Sequence, residues 1–245
     1  MNHAENLKQM EELRMFGMQK CYQSIVELPI HKQPEGEELL PMLLQAEILS
    51  RQNGRMTKLL KESALRYQPS IEQIICSAAR NFTKTQLLKL ADCSFIERAE
   101  NALITGPTGG GKTYLACAIG HQACLKGNRT IYLNMNRFIE KIALAKIEGT
   151  FVKMLNHFDK FKLVILDDFG LRAMDHDTKI ALLQILEDRY QKKSTIIVSQ
   201  LPVANWYNYI SEPTMADAIM DRISAHAHRI DLKGDSLRQK TTANN

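Results

Sequence analysis

From residue 5 to residue 28 apolar side chains recur every three or four positions, at Leu7, Met10, Leu13, Met18, Cys21 and Ile25, which is the spacing of one helix face, with Gly17 interrupting it. A stretch carrying Pro29, Pro34, Gly36 and Pro41 follows. The pattern then resumes over LLPMLLQAEILSRQNGRMTKLLKESALRY and predicts two helices broken near Asn53 and Gly54. Residues 1–68 are therefore expected to form a small all-helical domain that either covers part of its neighbour or docks DNA or a partner protein.

After Pro69 the period changes. Short apolar runs at 102–105 (ALIT), 130–133 (TIYL), 163–166 (LVIL), 195–198 (TIIV) and 228–232 (HRIDL) are too continuous for a half-exposed sheet and suit strands buried on both faces. Helical periodicity fills the intervals at 112–126, 136–147, 177–192 and 215–224. This alternation predicts an α/β domain over residues 69–245, with a five-stranded parallel sheet flanked by helices.

The chemistry is carried first by GPTGGGKT at 106–113, which matches G-x-x-x-x-G-K-[ST] and sits directly after one strand run and at the start of a helix. Gly106, Pro107, Thr108, Gly109, Gly110 and Gly111, with Tyr114 beyond the motif, are expected to wrap ATP phosphates with backbone N–H groups. Lys112 would reach the β and γ phosphates and the Thr113 hydroxyl would ligate Mg2+. The strand at 163–166 ends in Asp167 and Asp168: Asp167 is expected to hold the Mg2+ shell and Asp168 to orient or deprotonate the attacking water. Ser199 and Gln200, closing the fourth strand, would aim a polar group at the γ phosphate, or else only shape a turn. Arg222 either inserts into a neighbouring subunit's site or pairs on the surface with Asp217, Asp221 or Asp231; Arg189 is a second finger candidate. Trp206, Tyr207 and Tyr209 read as packing. The adenine contacts are sought between Phe82 and Ile96, just before the first strand.

Composition and charge narrow the setting. No apolar run approaches the roughly 18 residues that span a bilayer, and the opening segment is too polar for a signal peptide, so a cytoplasmic protein is expected. Five cysteines without a C-x-x-C pair read as core hydrophobes. Residues 1–100 hold 13 basic and 13 acidic side chains while 101–245 hold 19 and 14, so the net charge of +5 belongs to the second part. Its densest stretch, Lys126 to Lys162, offers Arg137, Lys141, Lys146 and Lys153 as contacts to DNA phosphates.

Taken in order, the phosphate loop, ILDDFG, VSQLP, ADAIMDRI and RIDLKGDSLRQK resemble the IstB-like ATPases, helper proteins of bacterial insertion-sequence transposition, over nearly all 245 residues. That family is similar to the DnaC helicase loaders and replication initiators of the AAA+ class. The resemblance implies an AAA+ P-loop fold without a separate C-terminal lid domain, with Ser199 as the sensor I residue, Arg222 as the arginine finger and Arg238 as the sensor II residue. It also implies an ATPase that forms a homo-oligomer with ATP sites shared between subunits. This oligomer would bind double-stranded DNA with little sequence preference and deliver that DNA to a cognate transposase. Asp168 stands where AAA+ proteins usually carry Glu, which predicts slow turnover. Three alternatives remain: a DnaC-like replicative helicase loader, a nucleotide switch that scarcely hydrolyses ATP, and a small-molecule kinase, whose Arg-bearing lid is not visible in the sequence.

Overall fold

Five strands form one parallel sheet in the order β2-β3-β4-β1-β5: β1 (Ala102–Thr105), β2 (Thr130–Asn134), β3 (Leu163–Phe169), β4 (Ser194–Ser199) and β5 (His228–Asp231). The computed structural model describes residues 2–237 and divides into two compact units, Met1–Lys58 and Leu59–Asn245.

The first unit holds α1 (His3–Glu12), α2 (Phe16–Val26) and the first part of α3 (Gly36–Ser63). Tyr22, Ile25 and Leu43 form its small core with Leu7, Met10, Met18 and Leu39 against them. Two expectations are corrected here. The break between the first two helices falls at Leu13–Met15, where Arg14 has φ +57°, and Gly17 lies inside α2. A Cβ on Gly17 would meet Glu47 Cα at 2.7 Å, so this glycine permits close approach of α2 and α3. The Glu47 carboxylate accepts the Gly17 and Met18 amides at 2.7 and 3.1 Å, filling donors left open at a helix start. The second correction is that α3 is continuous through Asn53 and Gly54. A glycine in a helix interior costs only about 1 kcal/mol, which side chains buried on either side of it, Leu43 and Leu59 among them, outweigh.

In the second unit α4 (Lys84–Ala91), α5 (Ser94–Glu97) and α6 (Lys112–Leu125) pack with Ala102, Ile104, Ile165, Ile196 and Ile230 in one buried cluster. On the other face lie α7 (Met135–Ile147), α8 (Phe151–Phe158), α9 (His176–Arg189), α10 (Trp206–Ile210) and α11 (Pro213–Ser224), packed on Leu103, Val164, Leu166 and Ile197. Neighbouring strand residues thus feed opposite cores, as the two-residue period of a strand requires, and the sheet is buried on both sides. Trp206 is fully buried against Phe169, with its indole N–H donating to Leu201 O, and Tyr209 packs partly buried on the same ring, whereas Tyr207 is exposed and departs from the packing expected of it. Of the cysteines, Cys93, Cys117 and Cys124 are buried and Cys21 and Cys76 half-buried. No described helix is long and apolar enough to cross a membrane.

The reading of Arg189 as a finger is overturned. Only 1% exposed, its guanidinium donates to Thr195 Oγ1, Phe158 O, Phe161 O, Lys162 O and Ser194 O, tying α8, α9 and β4 together. Burial lowers its pKa to about 10, still charged at neutral pH. Arg189→Met keeps the volume but strands these acceptors, and should cost at least about 3 kcal/mol of unfolding free energy. Chemical denaturation checks this; a loss under about 1 kcal/mol would mean that water replaces the guanidinium.

Candidate nucleotide site

The phosphate loop turns between β1 and α6 at the carboxyl edge of the sheet, where ligands bind open α/β sheets. Gly106, Gly109 and Gly111 all have positive φ, and Gly111 caps α6 in the left-handed region that suits glycine. The Lys112 ammonium donates to Gly106 O and Pro107 O at 2.8 Å each, folding over the loop it follows. Gly110 N donates to Pro107 O, closing the turn. Beside it opens a cavity of about 430 Å³ whose lining includes Thr108, Gly109, Gly111, Lys112, Thr113, Tyr114 and Asp168. That volume lies within the range of small-molecule sites.

The two acids separate because the strand does not run straight. Pairing between β3 and β4 shifts register between Leu166 and Phe169, and Asp168 has φ +60°. An irregularity of this kind re-aims side chains, and Asp tolerates the left-handed region better than most residues. Asp167 is fully buried and its Oδ2 accepts the Thr113 hydroxyl at 2.8 Å and the Tyr132 hydroxyl at 2.6 Å, while Oδ1 accepts the Asp168 amide at 2.9 Å. Burial pushes the Asp167 pKa up, against the lowering effect of those bonds. Burial and the neighbouring carboxylate push Tyr132 up strongly, so it remains a donor. Asp168 faces the cavity and its Oδ2 accepts Asn134 Nδ2 at 2.6 Å.

Among the described residues no group of three or more His, Cys, Asp or Glu side chains gathers into a metal site. Mg2+ does not need one: it is commonly held by one or two protein oxygens, phosphates and water. Thr113 Oγ1 and Asp167 Oδ2, adjacent and both oxygen, fit that role, and a cation there would relieve the cost of burying the Asp167 charge.

Other expected site residues fall elsewhere. Ser199 is fully buried, donating to Phe169 O and accepting the Leu201 amide, and it does not line the cavity; Gln200 does, and accepts the Thr108 hydroxyl at 2.8 Å. Ser199 therefore braces the turn after β3, and the polar group on the cavity side belongs to its neighbour Gln200. Arg238 lies outside the described residues. Just before it, Leu237 N donates to Gly109 O at 3.0 Å, bringing that segment onto the phosphate loop. None of the residues from Phe82 to Ile96, where adenine contacts were sought, lines the cavity, and Phe82, Leu87, Leu90, Phe95 and Ile96 are buried in the core. The cavity wall is instead built by Arg66, Tyr67, Gln73 and Ile75, with the Tyr67 and Tyr114 rings 5.9 Å apart.

Arg222 lies far from its own phosphate loop. Its carbonyl accepts Asn101 Nδ2 at 2.9 Å, and Asn101 precedes β1 whereas Gly106 follows it, a separation of roughly 15 Å of strand. Its guanidinium pairs with Glu187 and, at 3.5 Å, with Asp221; of the three acids named from sequence only Asp221 is a partner. Arg137, Lys141 and Lys153 are exposed and make no ion pair among the described residues, whereas Lys146 pairs with Asp177 and lies 5.5 Å from the centre of the Phe151 ring.

The profile of IstB-like ATP binding proteins matches residues 8–245. The chain belongs to this family. Its relatives include the insertion sequence ATP-binding protein y4pL of Sinorhizobium fredii, 36% identical over 233 residues and covering 95% of each chain. They also include the ATP-binding protein of insertion sequence IS21 from Pseudomonas aeruginosa, 30% identical over 94% of this chain and 87% of that one. Solved structures extend the fold of this IstB-like protein further. DnaI has a TM-score of 0.56 at 21% identity, covering 69% of this chain and 92% of its own. The DnaC helicase loader gives 0.55 at 18%, covering 67% and 96%. AMPPCP-bound DnaA from Aquifex aeolicus gives 0.59 at 20%, covering 74% and 56%. The chain is thus a member of the IstB-like ATP binding proteins and shares the fold of DnaI, the DnaC helicase loader and DnaA.

Proposed function

We propose that this protein hydrolyses MgATP and assembles through shared ATP sites on double-stranded DNA, which it presents to a transposase. The observation that carries the hydrolytic reading is the geometry at the end of β3: Thr113 bonded to buried Asp167, and Asp168 open to the cavity with Asn134 on its carboxylate. Thr113 and Asp167 would hold Mg2+, which would supply positive charge against the charge that develops on the phosphates. Lys112 exchanges two loop carbonyls for phosphate oxygens. Asp168 takes the proton of the attacking water, and Asn134, donating to its Oδ2, fixes the direction of that carboxylate. The ring pair Tyr67 and Tyr114, with Ile75, offers an apolar wall for the base.

Sharing of sites is supported by the placement of Arg222. It cannot serve its own loop across the depth of the sheet, so its charge can reach phosphate only in a neighbouring subunit's site. DNA contact is assigned to Arg137, Lys141 and Lys153, free on the surface of α7 and α8; Lys146, already paired, is assigned no more than a minor share. This narrows the set expected from sequence. Delivery to a transposase rests on the relatives' insertion-sequence names and on the resemblance.

Salt titration of duplex DNA affinity tests the DNA assignment. Each lost phosphate contact lowers the slope of log K against log salt by about 0.9, so Lys141→Ala with Lys153→Ala should lower it by about 2 per subunit, and Lys146→Ala by much less. Unchanged slope in the double variant removes the assignment.

A further inference from the structure

Arg80, which nothing in the phosphate motif predicts, joins the loop to the cavity wall. Its Nη2 donates to Gly110 O at 2.7 Å and its Nη1 to Ile75 O at 2.8 Å. It makes no ion pair among the described residues, so both of its strongest contacts are to backbone carbonyls. Its own backbone is pinned too: Arg80 O accepts Lys233 N at 3.0 Å, and the next residue, Asn81, with φ +51°, donates through Nδ2 to Asp231 O at 2.9 Å. The guanidinium therefore sits on a fixed support at the end of β5. It does not line the 430 Å³ cavity; it borders a smaller one of about 70 Å³ next door, and Gly111 borders both.

The consequence follows from peptide geometry. In a planar trans peptide the C=O and the following N–H point in opposite directions. Holding the Gly110 carbonyl on Arg80 therefore turns the Gly111 N–H away from Arg80, toward the cavity side where a phosphate oxygen would accept it. Between two glycines that peptide has little steric restraint of its own and would otherwise turn freely. Gly111 itself leaves space for the arm, since a Cβ there would come within 2.9 Å of Nη2.

We infer that Arg80 is a positioning residue for the triphosphate: it fixes the Gly110–Gly111 peptide so that the Gly111 N–H faces phosphate, and it ties that peptide to the Ile75 side of the base wall. The inference rests on the nucleotide reading above. It needs a fork with two donors in fixed geometry, which lysine lacks.

The test is competition binding on the full chain, with a fluorescent ATP analogue displaced by ATP or by inorganic tripolyphosphate, for wild type, Arg80→Lys, Arg80→Gln and Lys112→Ala, together with steady-state hydrolysis and thermal melting. The expected result is roughly tenfold weaker ATP and tripolyphosphate binding for Arg80→Gln, the loss of one charge-assisted bond. Arg80→Lys should recover only a small part, because charge alone does not orient the peptide. KM should rise by a similar factor while kcat at saturation changes less than twofold, a split that general loosening of the fold would not give. Folded Arg80→Lys or Arg80→Gln protein binding tripolyphosphate as wild type does, or losing kcat at unchanged KM, overturns the inference. Wild type that binds ATP no better than Lys112→Ala overturns the nucleotide reading and this inference with it.

Discussion

Arg222→Ala is expected to leave ATP binding close to wild type and to cut kcat on DNA by about 10³-fold or more, the range measured for arginines that neutralise a phosphoryl-transfer transition state from a neighbouring chain. The side chain lies at the sheet edge opposite the phosphate loop, held by Glu187 and Asp221, so its loss removes nothing from the subunit's own cavity. Complementation gives the sharper form. Lys112→Ala has a dead loop but an intact Arg222, and Arg222→Ala the reverse, so mixing the two should restore a fraction of the activity that neither has alone. If Arg222→Ala turns over ATP at the wild-type rate, the residue only pairs with Glu187 and the sites are not shared.

Asp167→Asn should have the second large effect. Wild type should bind ATP more tightly with Mg2+ than without it; the variant should lose that gain and at least about 10²-fold in kcat, since Thr113 alone cannot hold the metal against water. The variant's carboxamide oxygen can still accept the Thr113 and Tyr132 hydroxyls, but its NH2 then meets the Asp168 amide, so one hydrogen bond is lost together with the charge. A stability consequence has a definite sign. Burial raises the pKa of Asp167 in the folded protein, so the folded state binds the proton more tightly than the unfolded state does. Without metal, stability falls as pH rises from the ordinary carboxylate range through the raised value. Asp167→Asn should abolish that component, which thermal melting across this pH range without Mg2+ reads; a wild-type pH dependence in the variant would show that Asp167 is not the group that titrates.

The chain makes its sheet legible because its first four strands are short, apolar and followed by helices, and TIYL, LVIL and TIIV admit few other structures; the polar edge strand β5, HRID, is read only by its place after the last helix. The phosphate loop is legible for a related reason, since only glycine serves the backbone angles at 106, 109 and 111. What stays hidden depends on distant pairing. Arg189 and Arg222 look alike in sequence, and only the closing of α8, α9 and β4 around the first separates a fully buried structural arginine from a half-buried one held by acids. Asn134 and Tyr132 reach the acids because β2 pairs with β3 with Asn134 opposite Asp167, a register that no local signal carries. Had the last polar residue of TIYLN been followed across the sheet, Asn134 could have been found. Arg66, Tyr67, Ile75 and Arg80 come from a segment with little regular structure and had no such signal. Ser199 and Gln200 show the limit of motif transfer: Ser199 is the last residue of a strand buried along its whole length, whereas Gln200 lies beyond it and is exposed.

The central claim is that ATP held by one subunit and completed by the next builds an assembly on DNA. Multi-angle light scattering of the full chain with a duplex of fixed length, with and without MgATP, tests it most directly. Particles of several subunits per duplex are expected only with MgATP, absent for Lys112→Ala, and formed by Arg222→Ala but persisting because ATP is not turned over. A protein that remains a monomer with MgATP and DNA, or that assembles equally well without nucleotide, would contradict it.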